Sequence, residues 1–111
     1  KIEPGQTLIF TMKYDNKGDE KAINVVIENP IPPESAYVVG SASGIGSEIK
    51  FSIDGGQTFN IPSLLTYEVE NPSGEPFKMT APPEQYTNIR WIVKEIPAGQ
   101  KGEVSFSIRL K

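Results

Sequence analysis

The sequence contains no cysteine and no histidine among its 111 residues. Without cysteine there is no disulfide framework, so the hydrophobic core alone has to hold the fold. Zinc sites of the Cys/His type, iron–sulfur clusters and His-ligated haem are excluded for the same reason. A serine nucleophile would have no histidine base, which excludes the usual catalytic triads. These absences lead us to expect a protein that is not an enzyme.

Long apolar runs and basic clusters are also lacking. The net charge is −3, from 11 basic and 14 acidic residues scattered along the chain, so the basic patch of a nucleic-acid-binding protein is missing. No stretch approaches the roughly 18 apolar residues of a membrane span. The sequence opens on Lys1 without a start methionine or signal peptide, and we expect a piece of a larger protein.

β-Branched residues and turn residues dominate what is present. There are 13 Ile and 7 Val against 4 Leu and 5 Ala, and β-branched side chains favour strands over helices. Ten glycines and ten prolines make up 18% of the chain, against an average near 12%. The composition therefore indicates many short strands separated by turns.

Alternation of apolar and polar residues places these strands. Residues 7–15 and 104–110 alternate most cleanly, as half-buried strands do. The full set of predicted strands is 7–15, 21–28 (core face Ile23, Val25 and Ile27), 37–41, 49–53, 64–70, 89–93 and 104–110. Short arms are predicted at 57–59 and 76–78, a turn at 2–6, and one helical turn within 80–86. About seven main strands with short hairpin arms predict an all-β fold, an immunoglobulin-like antiparallel β-sandwich in a single domain, 1–111.

Three blocks resemble a bacterial repeat family in the same order. Residues 3–18, EPGQTLIFTMKYDNKG, resemble its opening PGxTxxYTxxxxNxG, and residues 22–32, AINVVIENPIP, resemble its AxNVVVxDxxP block. Residues 89–106 resemble its ending, a tryptophan followed by L-x-P-G. The family is domain of unknown function eleven, a conserved immunoglobulin-like repeat of bacterial surface and secreted proteins. Asp15 and Asn29 depart from the family pattern, and residues 55–86 resemble an insertion found in its longer variants.

The resemblance implies an extracytoplasmic sandwich without catalytic residues or cofactors. The function it implies is that of a non-catalytic structural spacer in a bacterial cell-surface or secreted protein. Its partners would be neighbouring domains of the same chain, and the isolated domain is expected to be a monomer. The alternative is an adhesion module that binds a glycan or a surface protein through its loops or through the insertion.

The sharpest local motif is SIDGGQTF at residues 52–59, which fits the Asp-box pattern S-x-D-x-G-x-T-(W/F) of propeller hairpins. Asp54 is suited to accept backbone N–H groups across the turn, and Gly56 supplies positive φ. Thr58 and Phe59 complete the pattern, with Phe59 expected to pack beneath the hairpin. We interpret the motif as a structural turn, with ligand contact as the alternative.

A second cluster is the oxygen-rich loop that contains Asp15, Asn16, Asp19 and Glu20. Such loops can bind Ca²⁺, although the spacing is not that of an EF-hand. A solvated turn is the preferred interpretation, and a calcium site is the alternative.

Two further groups of residues are of types that serve carbohydrate chemistry. Glu68 and Glu70 share one strand face, and paired carboxylates serve glycoside hydrolysis; their ordinary strand context favours a solvated face. Core packing is the preferred interpretation for four aromatic residues, and a sugar-stacking platform is the alternative: Tyr37, Tyr67, Phe77 and Tyr86.

Overall fold

The structure is a computed structural model that describes residues 3–111. It contains eight β-strands and two single-turn 3₁₀-helices, at Pro62–Leu64 and Pro83–Gln85. The strands are β1 (Thr7–Asp15), β2 (Ala22–Pro30), β3 (Ser35–Tyr37), β4 (Ser47–Ser52), β5 (Thr66–Glu70), β6 (Pro76–Thr80), β7 (Asn88–Ile96) and β8 (Lys101–Leu110). No helix in residues 3–111 has the length and apolar character needed to cross a membrane.

Two three-stranded antiparallel sheets form the body of the domain. Their strand orders are β1-β8-β3 and β2-β7-β4, and β5 and β6 form a separate hairpin. The predicted all-β antiparallel sandwich is therefore confirmed. Consecutive strands β1 and β2 lie in different sheets, as do β7 and β8, so the pairings β1–β8 and β2–β7 are nested.

The core lies between the sheets, on the faces that the alternation predicts. Trp91 of β7 and Phe106 of β8 are fully buried, with ring centroids 5.8 Å apart across the two sheets. Phe10 of β1 packs on Phe106 from the same sheet at 5.2 Å. Burial of alternate side chains along β1, β7 and β8 builds the core without a disulfide.

The second strand departs from its predicted core face at one position. Val25 and Ile27 are partly buried, as predicted, but Ile23 is 62% exposed. The residue between Ile23 and Val25, Asn24, has φ = 51°. This left-handed backbone interrupts the extended alternation, and Ile23 therefore does not follow the row of buried side chains.

Three other predicted segments are shorter than predicted or are not strands. The third strand is Ser35–Tyr37 instead of 37–41. The chain turns after Tyr37, because the Ser41 N–H donates to the Val38 carbonyl at 3.1 Å and Gly40 has φ = 83°. Leu64 ends a 3₁₀-helix and does not begin the fifth strand. The arm predicted at 57–59 does not form a strand. The residue that follows it, Asn60, forms an isolated β-bridge with Phe51.

Other local predictions match the structure. The arm predicted at 76–78 is part of β6, and the helical turn predicted at the prolines is the second 3₁₀-helix. The turn predicted at 2–6 begins at Ile2, which lies outside the described residues. Its described part has the Gln6 N–H donating to the Glu3 carbonyl at 3.1 Å and Gly5 at φ = 84°.

Candidate functional site

The 52–59 motif forms a dense hydrogen-bonded turn centred on Asp54. Its Oδ1 accepts the Ser52 hydroxyl at 2.6 Å and the N–H groups of Gln57 and Thr58 at 3.1 and 3.0 Å. Its Oδ2 accepts the Thr58 hydroxyl at 2.6 Å. Ser52, which is fully buried, accepts the Gly56 N–H at 3.0 Å through its Oγ. The carboxylate thus binds the turn's own donors.

These bonds set the ionisation of Asp54. The Ser52 hydroxyl, followed by the Thr58 hydroxyl and backbone N–H, stabilises the charged carboxylate and lowers the pKa of Asp54 from 3.8 to about 2. A general acid near neutral pH needs a raised pKa. The electrostatics of Asp54 therefore suit a permanent structural anion.

The turn is also tied to the segment before β7. Thr87 donates its N–H to the Ser52 carbonyl at 2.8 Å, and its Oγ1 accepts the Gly55 N–H at 3.0 Å. Gly56 has φ = 91°, and a Cβ there would lie 3.4 Å from the Asn88 amide nitrogen. Both the backbone conformation and the neighbouring side chain therefore favour glycine.

Phe59 packs on a charged pair of the outer sheet face. The guanidinium carbon of Arg90 lies 3.9 Å from the centroid of the Phe59 ring, within cation–π range. The Arg90 Nε donates to Glu28 Oε2 at 2.8 Å. Phe59 thus attaches the turn to β7 and β2 and does not pack beneath its own hairpin, where the motif had predicted it.

The oxygen-rich loop after β1 is arranged around the Asn16 side chain. Its Nδ2 donates to the carbonyls of Glu20 and Ile96, each at 2.9 Å, and its Oδ1 accepts the Gly18 N–H at 3.0 Å. Both ends of the amide are therefore occupied by backbone groups. Among residues 3–111 no three Asp or Glu side chains converge on a point where a metal ion could bind, Asp15 and Asp19 included.

The four aromatic candidates do not form a platform. Tyr37 and Tyr86 are buried, and both pack on Phe51 with ring centroids 4.7 Å away. Burial raises the pKa of the Tyr86 hydroxyl. Core packing, the preferred interpretation, is therefore confirmed for these two residues, and the alternative of a stacking surface is wrong for them. Tyr67 is partly buried and Phe77 is 45% exposed.

Glu68 and Glu70 lie on the exposed face of β5, opposite Lys78 and Pro76 of β6. Their cross-strand neighbours are ordinary hairpin residues, and the arrangement is that of a solvated face.

The structure adds a groove that no sequence pattern indicated. Its lining includes Tyr14, Ile45, Ile96, Pro97 and residues 100–103, around a volume of about 560 Å³. Three separate chain segments meet there, which explains why local sequence carried no signal. Gly102 permits the approach of Tyr14, since a Cβ at Gly102 would lie 2.5 Å from the Tyr14 hydroxyl oxygen.

Comparison of the chain with family models, with curated proteins and with solved structures finds no match in any of the three.

Proposed function

We propose that this domain is a non-catalytic structural module of a bacterial cell-surface or secreted protein, and that it presents neighbouring domains of the same chain outside the cytoplasm. The bacterial and extracytoplasmic parts of the proposal rest on the resemblance to domain of unknown function eleven. The structural part rests on the geometry of this chain.

The polar side chains that sequence analysis singled out are used by the fold itself. Asp54 is bound by hydroxyl and N–H groups of its own turn, and Asn16 bridges the carbonyl of Glu20 in its own loop and that of Ile96 at the end of β7. Side chains held in this way stabilise loops. Their chemistry supports a structural role better than a catalytic one.

The observation that carries the proposal is where the chain enters and leaves the sandwich. The Gly5 N–H donates to the Leu110 carbonyl at 2.7 Å, and the Leu110 N–H donates to the Gln6 carbonyl at 2.9 Å. The first and last strands are antiparallel in full register between these points. A domain joined to its neighbours at one end projects from them, and this geometry favours presentation over end-to-end spacing.

Domain replacement in the longer protein tests the proposal. One variant carries an unrelated β-sandwich whose first and last strands also pair with each other, and a matched variant carries a flexible Gly/Ser linker of the same length. Antibody access to the neighbouring domain on intact cells is the measurement. We expect the unrelated sandwich to restore wild-type access and the linker to fail. Restoration by the native sequence alone would overturn the proposal, because it would require recognition by specific residues.

One observation favours a protein-binding module as the second candidate. On the β5–β6 hairpin, Tyr67 lies opposite Met79 and Val69 opposite Phe77, so four apolar side chains share one face. Phe77 and Met79 are 45% and 44% exposed. In the replacement experiment this candidate predicts that a Phe77→Ser, Met79→Ser variant of the native domain loses function. A Glu68→Gln variant on the opposite face is the matched control.

A further inference from the structure

Among the described residues, the two three-stranded sheets leave four strand edges, and three of them are blocked. The edges are β1 and β3 in one sheet and β2 and β4 in the other. The edge of β3 is only three residues long. The edge of β4 is partly closed because Phe51 and Asn60 exchange two backbone hydrogen bonds of 2.9 Å. Short and covered edges resist pairing with other chains.

The edge of β2 is blocked by its own sequence. The Ile31 N–H donates to the Thr87 carbonyl. In this register the backbone N–H and C=O groups of the odd-numbered residues of β2 point towards β7. The even-numbered residues therefore direct their backbone groups outwards. Two of these are Asn24, with φ = 51°, and Pro30, which has no N–H. An added strand would meet an interrupted ladder.

The edge of β1 carries no such interruption. Its nine residues, TLIFTMKYD, contain neither proline nor glycine, and none has positive φ. The Asn16 N–H donates to the Gln100 carbonyl and the Leu110 N–H to the Gln6 carbonyl, so even-numbered residues bond to β8. On the far side of β8, Ser105 and Ser43 exchange backbone bonds, which confirms that odd-numbered residues of β8 face away from β1.

The free backbone groups of β1 therefore belong to five residues in a regular row. These are Thr7, Ile9, Thr11, Lys13 and Asp15. Their side chains lie on the exposed outer face of the sheet, and Ile9 is 72% exposed. A long, regular edge with an exposed apolar side chain is a site for strand addition.

The sequence of β1 is complementary to itself in the antiparallel direction. A two-fold axis at Thr11 places Ile9 opposite Lys13 and Thr7 opposite Asp15, so no like charges meet. On the inner face the same register places Leu8 opposite Tyr14 and Phe10 opposite Met12. Aromatic–aliphatic, Thr–Thr and sulfur–aromatic pairs stabilise neighbouring strands.

We propose that β1 pairs antiparallel with β1 of a second copy of this chain, about a two-fold axis at Thr11, to join the two β1-β8-β3 sheets into one of six strands. In this register the odd-numbered residues of one copy lie opposite the odd-numbered residues of the other. The backbone groups of all five outward-facing residues therefore form hydrogen bonds. An isologous contact of this kind closes on itself as a dimer. The proposal goes beyond the presentation function and replaces the sequence-based expectation of a monomer, which took no account of which edges are blocked.

Amide hydrogen exchange of the 111-residue chain locates the contact. In dilute solution the outward amides of Ile9, Thr11 and Lys13 exchange freely, whereas those of Phe10 and Met12 are protected by β8. As the concentration rises to the millimolar range, sedimentation shows a dimer and the odd-numbered amides gain protection. A monomer at every concentration overturns the proposal, and so does a dimer without this gain.

Charge substitution at Ile9 tests the register. Ile9→Lys places like charges opposite Lys13 at two symmetric positions, and we expect the dissociation constant of the dimer to rise about tenfold. Ile9→Glu places opposite charges there, and we expect it to fall. Val39→Lys is the matched control, because Val39 is 73% exposed and lies outside β1. Equal effects of Lys and Glu at position 9, or an equal effect at Val39, would overturn the register.

Discussion

Replacement of Gly44 by alanine is the most informative single change to the core. Gly44 has no positive φ, so its backbone conformation is open to alanine. Its surroundings are not, because an added Cβ would lie 2.8 Å from Val104 Cγ1, 2.8 Å from Ser47 Oγ and 3.1 Å from Trp91 Cδ1. Trp91 and Val104 are fully buried, and Trp91 is further held because its Nε1 donates to the Ser43 carbonyl at 3.0 Å.

Two opposing terms set the magnitude. Alanine restricts the unfolded chain and stabilises a compatible site by about 0.4–1 kcal/mol. Overpacking of a close-packed core costs about 1–3 kcal/mol. The 2.8 Å contact to Val104 Cγ1 involves a packed core atom, so the second term is larger, and we expect Gly44→Ala to lower the free energy of unfolding by about 1–2 kcal/mol. A change of that size lowers the Tm by roughly 4–8 °C.

Urea unfolding followed by fluorescence measures this change, because Trp91 is the only tryptophan and is fully buried. Gly18→Ala is the matched control: Gly18 also lacks positive φ, and the nearest atom to an added Cβ is Asn16 Oδ1 at 3.4 Å. We expect Gly18→Ala to be neutral or slightly stabilising.

A double-mutant cycle connects the loss to the named contact. Val104→Ala removes Cγ1. In the Val104→Ala background we expect Gly44→Ala to lower the free energy of unfolding by less than it does in wild type, with a difference of about 0.5 kcal/mol or more. An unchanged cost there, or a Gly44→Ala protein as stable as wild type, would refute the packing around Trp91.

Three further predictions concern the loops and the terminal strands. The pKa of Asp54 is lowered from 3.8 to about 2 in the folded protein, so the ionised carboxylate stabilises the fold above pH 3.8, and this stabilisation is lost as the pH falls through 2. Measurement of the free energy of unfolding during acid titration should show this loss in wild type and not in Asp54→Asn. Asn16→Asp removes the two donors to the Glu20 and Ile96 carbonyls and should lower the free energy of unfolding by about 1–3 kcal/mol, whereas Asp19→Asn should have little effect in the same urea assay. Because the chain has no cysteine, pairs of cysteines can be introduced as attachment points for single-molecule pulling. Pulling between Thr7→Cys and Arg109→Cys breaks the β1–β8 hydrogen bonds one at a time, whereas pulling between Thr7→Cys and Lys101→Cys loads many of them at once. We expect the first pair to unfold the domain at the lower force.

Local alternation predicted the strands, and it failed where the backbone departs from extended geometry. The bounds of β1 follow directly from the alternation of residues 7–15. Ile23 was misplaced because Asn24 adopts a left-handed conformation that asparagine tolerates but the sequence does not require. The strand predicted at 37–41 ends at Tyr37 because Gly40 and the Ser41–Val38 hydrogen bond form a turn.

Long-range contacts account for what the sequence could not predict. The bonds within the Asp54 turn are local and follow from the motif. The stacking of Phe59 under Arg90 is not local, since it joins residues 31 positions apart. Burial of Tyr37 and Tyr86 likewise depends on their meeting at Phe51. The nested pairing of first with last strand is a property of topology that strand patterns leave open.

The presentation proposal depends on one feature of the fold: β1 pairs with β8 in the register that brings Gly5 and Leu110 together. Nuclear Overhauser effects between Hα protons measure it directly, because these protons are closest in the non-hydrogen-bonded pairs of an antiparallel ladder. The structure predicts strong effects for Thr11–Ser105 and Ile9–Ser107. Strong effects in a register shifted by one residue, or between β1 and any strand other than β8 in dilute solution, would contradict the account.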